Sequence, residues 1–345
     1  MLDKSQLTPA KDQANPYELI KSSIFMNRSA VKLANLDSLF GLISNDRNLL
    51  AFTDICGGPG GFTEYITWKC KSLGIKSHGL GITLRGNQDF NLGDVVGSDN
   101  GFIQVYGKDG TGDIYSLENI ADFCETVLRT GRVNLAVSDG GFSVRGDELN
   151  QERHNTQLFI AQILIVLQTL AKGGDSIFKI FDIQLPITVE LMYILHLHFE
   201  RISLLKPFSS RPANSEKYLV CKNLELLGTS EMVLHLQECL REISRLKPGF
   251  QPAKSAHLAH QPGFIKQTEK IELGLLEITH VLDPCVLKDD AEFCEMVYNR
   301  NNAFYINQRQ ALDDVYQHAT TKCLPFDQLD VMNRCLDQWG LPRQL

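Results

Sequence analysis

The stretch FTDICGGPGGFTEY, residues 52–65, decides the fold. An apolar run from Leu49 to Ile55 predicts a buried strand, and apolar residues at helical spacing follow the glycines as far as Trp68. A strand, a glycine-rich turn and a helix form the first unit of a nucleotide-type α/β sheet, whose ligand lies where the turn meets the helix N-terminus. Glycines let backbone N–H groups approach that ligand closely, because they carry no Cβ atom.

The residues of this turn distinguish between two classes of cofactor. The dinucleotide pattern G-x-G-x-x-G would need a third glycine where Thr63 stands, and Pro59 removes one N–H donor. Asp54 would repel a phosphate but would suit the ammonium group of an amino acid. The turn therefore favours S-adenosylmethionine, which carries an amino-acid tail, over NAD. A tight connection that binds no ligand is the alternative.

Length and composition exclude several classes of protein. The 345 residues are 43% hydrophobic and 22% charged, which predicts one large globular α/β domain with a smaller appendage. A formal net charge of −7 argues against a non-specific nucleic-acid coat protein, although a local basic groove remains compatible with it. Nine cysteines without a C-x-x-C pair predict reduced thiols. We expect no membrane span, because no apolar run is long enough to cross a bilayer. We expect no metal site either, because His257 and His260 have no further ligand nearby.

The remaining pattern predicts the fold class and three regions. Strands and helices alternate from Leu49 to Asn223, which predicts a Rossmann-like, mostly parallel sheet with helices on both faces. A helix over Phe25–Phe40 precedes the sheet, and the last two strands form an antiparallel pair that is typical of methyltransferases. The predicted strands are 49–55, 77–83, 102–106, 133–139, 176–182, 201–206 and 216–222, and the helices between them are 119–128, 151–171 and 186–199.

The two ends of the chain differ from this central region. Residues 1–16 are polar and are expected to form a loose lead-in. Beyond Leu224 we expect a mainly helical extension, without strands. Its predicted elements are a helix at 230–246, a linker at 247–263, and helices at 289–299, 308–319 and 326–339. The predicted domains are a lead-in (1–24), a catalytic domain (25–224) and an extension (225–345).

Four charged residues occupy positions that a doubly wound sheet brings together. Asp139 and Lys179 lie at or near the carboxyl ends of predicted strands, Glu216 opens the last strand, and Lys32 lies on the helix before the sheet. Strand ends converge on the cofactor edge of such a sheet, so the four side chains should meet there. Lys179 stands inside an apolar run, where a lysine is unfavourable unless it is paired or neutral. For Lys32, a solvated helix position is the alternative.

Five motifs in a fixed order make the chain resemble the FtsJ-like ribose 2′-O-methyltransferases. They are FMNRSAVK, DICGGPGGFTEY, VSDGGFSV, FKIFD and SSRPANSEKY. NPYELI upstream and CLDQWGLP near the C-terminus extend the resemblance over nearly the whole chain. More narrowly, the five motifs resemble the cap-specific mRNA members of the family, which act on the first transcribed nucleotide. The resemblance implies the Lys-Asp-Lys-Glu catalytic tetrad of that family at Lys32, Asp139, Lys179 and Glu216.

The same resemblance implies binding residues and partners. Contacts to S-adenosylmethionine are expected at Asn27, Cys56, Gly57, Gly58, Pro59, Gly60, Gly61, Phe62, Asp113 and Ile114. RNA contacts are expected at Lys11, Leu149, Asn150, Gln151 and Asn214. The implied substrate is the m7G-capped 5′ end of an RNA, with the transcription or capping machinery as a partner. The implied compartment is the nucleus, or the cytoplasm for a viral homologue.

The chemistry of methyl transfer suits these residue types. A sulfonium methyl is already activated, so the protein must hold a ribose 2′-hydroxyl in line and help its proton leave. Burial and a second lysine favour a neutral amine. We therefore expect Lys179 to accept or orient the proton with help from Lys32, while Asp139 and Glu216 fix both amino groups.

Three alternatives remain open at this point. The same reaction on the second cap nucleotide or on ribosomal RNA is the nearest alternative. A cofactor-binding scaffold without catalysis and an NAD oxidoreductase are the others.

Overall fold

The computed structural model describes residues 4–87, 89–93, 101–141, 147–246, 267–270, 276–321 and 326–343. Seven strands of the described chain form one sheet: β1 (Leu49–Ile55), β2 (Lys76–Ile82), β3 (Gly101–Val105), β4 (Val133–Ser138), β5 (Leu170–Ile180), β6 (Phe199–Leu205) and β7 (Lys217–Leu224). The helices of this region are α1 (Lys4–Gln13), α2 (Arg28–Phe40), α3 (Gly61–Leu73), α4 (Leu117–Thr130), α5 (Gln151–Thr169), α6 (Pro186–His198) and α7 (Ser230–Leu246). The C-terminal part adds β8 (Gln267–Lys270), β9 (Leu276–His280), α8 (Pro284–Lys288), α9 (Ala291–Thr320) and α10 (Gln328–Trp339).

The sheet has the strand order β3-β2-β1-β4-β5-β7-β6. Strands β1 to β5 are parallel, and β7 inserts antiparallel between β5 and β6. The predicted fold class, a mostly parallel sheet with an antiparallel closing pair, is therefore confirmed. Parallel strands direct all their carboxyl ends to one edge, and that edge carries the glycine turn after β1.

Two apolar cores lie on the two faces of the sheet. One core combines sheet residues such as Ile55 and Phe178 with residues of α4, α5, α6 and α7, while the other combines sheet residues with α2, α3 and α10. Residues 158–167 of α5, LFIAQILIVL, are all buried, and Gln162 is the one polar residue among them. Both faces being covered, the strands are long apolar runs rather than alternating ones.

Three predictions about the ends of the chain are wrong. The lead-in contains helix α1; its Ala10, and Ala14 directly after it, are buried against Val315 of α9. The two helices predicted at 289–299 and 308–319 are the single helix α9, because no glycine or proline interrupts residues 291–320. The extension also contains two strands, since β8 and β9 pair antiparallel.

One boundary inside the sheet also differs from the prediction. Strand β5 begins at Leu170, although the sequence pattern extends helix α5 to residue 171. The register shifts between the pairs Val133–Leu170 and Leu135–Asp175, so that residues 171–174 of β5 form an irregularity opposite Asn134 of β4.

None of the helices in the described residues combines the length and apolar character needed to cross a membrane. The same described residues hold no group of three or more potential metal ligands. The linker predicted at 247–263, with His257 and His260, lies outside the described residues.

Candidate active site

Strand register brings three functional side chains side by side. Ser138 at the end of β4 pairs with Phe178 of β5, and Lys179 pairs with Tyr218 of β7. Asp139, the first residue beyond β4, therefore lies next to Lys179 and Tyr218. The site lies where β5 has its parallel neighbour β4 on one side and its antiparallel neighbour β7 on the other.

Asp139 accepts hydrogen bonds from three elements of the fold. Lys179 Nζ donates to the backbone carbonyl of Asp139 at 2.6 Å and lies 3.2 Å from its Oδ1 atom. The hydroxyl of Tyr218 donates to Oδ1 at 2.5 Å, and Ser29 of α2 donates to Oδ2 at 2.5 Å. The carboxylate is therefore fixed in position from β5, β7 and α2.

A second ion pair completes the cluster. Lys32 Nζ lies 2.7 Å from Oε1 and 2.9 Å from Oε2 of Glu216, the residue just before β7. Ser210 donates to Glu216 Oε1 at 2.7 Å. Lys32 also lies 5.9 Å from the centre of the Tyr218 ring, the same ring that contacts Asp139. The structure thus brings all four predicted tetrad residues into one cluster of two adjoining ion pairs.

The pKa values of three cluster members indicate that they are charged at neutral pH. Burial would raise the pKa of Asp139, but Lys179 and Lys32 hold that pKa at about 2. Burial opposes ionisation of Glu216 as well, and the charge of Lys32 nevertheless lowers its pKa. Burial would lower the pKa of Lys32, but the carboxylates of Glu216 and Asp139 raise it. Lys32 is therefore a permanent positive charge of the site.

Acid should remove the stabilisation that Asp139 provides. Its pKa is lower in the folded chain than the value of about 3.9 for an unfolded aspartate, so it stabilises the fold above that pH. We expect Asp139→Asn to lower the free energy of unfolding at pH 7, with a difference from the original chain that shrinks as pH falls from about 4 toward 2. Urea unfolding at several pH values tests this. A difference that stays constant with pH would contradict it.

The sequence prediction missed Ser29 and Tyr218. Ser29 precedes Lys32 by three positions on α2, which puts both on one helix face. Tyr218 follows Glu216 by two positions, which puts both on one side of an extended chain. Both residues could have been found by extending the periodicity from the predicted tetrad.

Removal of the Tyr218 hydroxyl should destabilise the cluster without a large change in packing. We expect Tyr218→Phe to lower the free energy of unfolding by about 1.5–3 kcal/mol, because it deletes a buried hydrogen bond to a carboxylate. Urea unfolding measures this, with Tyr305→Phe as the control because the Tyr305 side chain is 65% exposed. Equal stabilities of the two variants would show that the Tyr218 hydroxyl contributes nothing.

The glycine turn covers a buried carboxylate. Asp54 at the end of β1 is fully buried, and its Oδ2 atom accepts from the backbone N–H and the hydroxyl of Thr63 in the first turn of α3. Its Oδ1 atom has no hydrogen-bond partner among the described residues. Burial, with a further contribution from Asp139, raises the pKa of Asp54 to about 7. Asp54 therefore connects β1 to the start of α3 directly beneath Gly57.

The turn has no room for side chains. A Cβ atom added to Gly57 would lie 2.2 Å from the Asp54 carboxyl, and one added to Gly61 would lie 2.1 Å from Asn27 Oδ1. Gly60 has a φ of +115°, in the region that favours glycine. Asn27 also caps α2 by accepting from the Ser29 N–H at 2.9 Å. The predicted cofactor residues before and after the turn are therefore in close contact.

The remaining cofactor candidates lie around the same edge. Cys56 adopts a φ of +58°, and Gly58 and Pro59 are joined by a cis peptide bond. The Phe62 ring lies 6.3 Å from that of Tyr218, which joins the turn to the cluster. Asp113 accepts from the Tyr115 N–H at 2.8 Å, and Ile114 is buried in the core.

The predicted RNA residues are mostly at the surface. Leu149 is 98% exposed, and Asn150 donates to Asp147 at 2.7 Å. Gln151 accepts from the Ser215 hydroxyl at 3.2 Å, which brings residues 149–151 close to Asn214. The exposed Lys11 lies on α1, and Asp12 beside it is 3.7 Å from Arg211 of the same loop as Asn214. Segments from three parts of the sequence therefore meet beside the cluster.

Comparison with known proteins gives consistent similarities. The family model for FtsJ-like methyltransferases matches residues 25–224. The chain is 33% identical to cap-specific mRNA (nucleoside-2′-O-)-methyltransferase 1 of Dictyostelium discoideum, covering 99% of this chain and 44% of the relative. It is 35% identical to the Homo sapiens protein of that name, covering 100% of this chain and 40% of the relative. The chain thus spans about two fifths of the length of these curated relatives.

A solved structure gives a weaker likeness. Human methyltransferase-like protein 13 in complex with SAH matches with a TM-score of 0.36 and 12% identity, covering 64% of this chain and 93% of that chain.

Proposed function

The chain belongs to the FtsJ-like methyltransferase family, and from this premise we propose that it methylates the ribose 2′-hydroxyl of the first transcribed nucleotide of m7G-capped mRNA. The observation that carries the proposal is the cluster of Lys32, Asp139, Lys179 and Glu216 beside the glycine turn. The names of the relatives, which match nearly all of this chain over about two fifths of their own length, support the choice of a capped mRNA substrate.

S-adenosylmethionine is the methyl donor in this proposal. The turn fits such a ligand, because it lies at the N-terminus of α3 and the buried Asp54 Oδ1 beside it has no hydrogen-bond partner among the described residues. Gly57, Gly60 and Gly61 let Asp54, Leu92 and Asn27 pack directly against the backbone of the turn. Asn27, Cys56, Asp113 and neighbouring residues would hold it, and when bound it supplies a sulfonium-activated methyl group. The carboxyl of Asp54 faces inward and is engaged by Thr63, so it supports the turn from below instead of meeting the amino-acid tail.

Lys179 and its neighbours hold the acceptor hydroxyl and its proton. The Lys179 amine takes the 2′-hydroxyl proton when the amine is itself unprotonated, and in its protonated form it orients the hydroxyl. Asp139 fixes that amine through its backbone carbonyl and carboxylate. Lys32 keeps its charge because Glu216 pairs with it, so it stabilises negative charge that develops on the ribose oxygen. In this proposal Lys179 acts on the proton of the 2′-hydroxyl, and Lys32 stabilises the negative charge on its oxygen.

The loop after β6 and the segment at 149–151 would hold the RNA. Asn214 lies on that loop next to the tetrad residue Glu216, and Gln151 contacts Ser215 of the same loop. Lys11 on α1 would contact the cap side. Single-stranded RNA ends are bound by contacts of this mixed kind, to bases, riboses and phosphates.

Methyl transfer to paired RNAs tests the proposed function. Two RNAs of identical sequence, one with an m7G cap and one without, are incubated with the chain and labelled S-adenosylmethionine, and the product is mapped to its nucleotide and position. We expect a 2′-O-methyl group on the first transcribed nucleotide of the capped RNA. Methylation of the second nucleotide, equal methylation of uncapped RNA, or none at all would contradict the proposal.

The nucleus and the capping machinery are part of the same proposal. An enzyme of capped transcripts acts on them where they are made, so a fluorescent fusion of the chain should concentrate in the nucleus. An exclusively cytoplasmic signal would contradict this.

A further inference from the structure

Lys206, directly after β6, connects the two ends of the loop that carries Asn214. Its Nζ atom donates to the backbone carbonyl of Asn214 at 2.7 Å, to Asn214 Oδ1 at 2.5 Å and to the carbonyl of Glu216 at 2.9 Å. An ammonium group has three N–H donors, and all three are used here. One side chain therefore holds a predicted RNA contact and the backbone of a tetrad residue together.

The rest of this loop, residues 207–215, is held by contacts on both sides of Asn214. The Phe208 N–H donates to Asn35 Oδ1 at 2.9 Å, and the Phe208 ring stacks on Tyr17 with centres 5.1 Å apart. Arg211 lies 3.6 Å from Glu18 Oε1.

The residues next to Asn214 have partners as well. Gln308 Nε2 donates to the Ala213 carbonyl at 3.4 Å, and the Ser215 hydroxyl donates to Gln151 at 3.2 Å. The Asn214 side chain itself accepts a long hydrogen bond of 3.4 Å from the Ser210 hydroxyl. The shorter bonds from Lys206 are therefore the main side-chain contacts of Asn214.

The Lys206 ammonium group loses its proton more readily than that of Lys32. Its three acceptors are neutral oxygens, and no carboxylate of the described residues forms a direct ion pair with it. The charged groups facing it are Glu216 and Asp182, which favour the ammonium form, and Lys217 and Lys32, which oppose it. Burial lowers the pKa of Lys206 to about 7, and the two lysines add to this effect.

We propose that Lys206 is a positioning residue that, in its protonated form and anchored on the Glu216 backbone carbonyl, orients Asn214 toward the RNA. The inference rests on the proposed function for its RNA partner. A neutral amine has only two donors and a lone pair, so it cannot satisfy three carbonyl-type acceptors. Loss of the proton as pH rises should therefore loosen Asn214, and RNA binding should weaken while turnover at saturating RNA does not fall.

The test measures KM for capped RNA and kcat between pH 6 and 8.5 for the original chain and Lys206→Met. We expect KM of the original chain to rise roughly fivefold over this range, as expected for the loss of one net hydrogen bond. Lys206→Met should have the raised KM at every pH. Lys222→Met is the matched control, because Lys222 lies on β7 and pairs with Asp175. The KM of this variant should have the same value and the same pH dependence as that of the original chain.

Hydrogen–deuterium exchange of peptides covering residues 208–214 provides a readout that needs no activity. Exchange should be faster in Lys206→Met than in the original chain, and unchanged in Lys222→Met. If the chain methylates capped RNA but KM is independent of pH and of Lys206, the inference is overturned while the proposed function stands. If no RNA is methylated, the proposed function fails, and exchange that is unchanged in Lys206→Met then overturns the positioning role as well.

Discussion

Lys179→Ala is expected to lower kcat for methyl transfer by a factor of about 10²–10⁴ or more, the usual contribution of a positioned proton acceptor. Lys179 Nζ is the amine that the Asp139 carbonyl and carboxylate hold in place. S-adenosylmethionine affinity should be unchanged, because the glycine turn does not depend on this amine. The fold should persist, since Asp139 keeps its bonds from Tyr218 and Ser29.

Single-turnover methylation of capped RNA and calorimetric titration with S-adenosylmethionine separate the two effects. Lys222→Ala is the control, because Lys222 forms its own ion pair with Asp175 in the same sheet. Its kcat should equal that of the original chain. A Lys179→Ala variant that binds the cofactor and retains full turnover would remove Lys179 from the reaction.

The sheet could be predicted from sequence because its signals are local and strong. The central strands β1 and β4 are mainly apolar and are bounded by polar or glycine-rich residues, and the turn at residues 57–61 identifies the first unit. The order of the strands does not follow from such patterns alone. The antiparallel closing pair was expected from the typical ending of methyltransferase sheets, and the structure confirms it. The insertion of β7 between β5 and β6 was not predicted.

The ends of the chain were harder to predict because tertiary packing decides their structure. Helix α1 is polar and contains Pro9, and it buries only small residues such as Ala10 against α9. Strand β9 is followed by Val281 and Leu282, whose N–H groups donate to the buried Glu190 of α6. Such partners lie far away in sequence, so a local pattern cannot reveal them.

The candidate site also contains residues that the sequence predicts and residues that it does not. The tetrad positions follow from motifs at strand ends, and the structure brings those side chains together. Ser210 and Lys206 belong to the site only through hydrogen bonds to Glu216. A serine or a lysine at a polar loop position carries no such signal in a single sequence. The charged residues of a site are therefore easier to predict than the groups that orient them.

Gly57→Ala is expected to reduce S-adenosylmethionine affinity roughly 10–100-fold and the free energy of unfolding by about 1–3 kcal/mol, as overpacking of a rigid site does. An added Cβ would lie 2.2 Å from Cγ and Oδ1 of Asp54 and 2.4 Å from its Oδ2. The carboxyl cannot move aside easily, because Thr63 holds Oδ2 with two hydrogen bonds at the start of α3. Either the glycine turn or the first helical turn of α3 must shift, and both would line the cofactor.

Gly74→Ala distinguishes a cofactor defect from a simple loss of stability. Gly74 caps the other end of α3 with a φ of +71° and has no atom within 4 Å of an added Cβ. Alanine there should cost about 1–3 kcal/mol of stability through backbone strain alone, with unchanged cofactor affinity. Calorimetric titration and urea unfolding of both variants give the comparison. If Gly57→Ala binds S-adenosylmethionine as tightly as Gly74→Ala does, the cofactor does not depend on the close approach of the turn to Asp54.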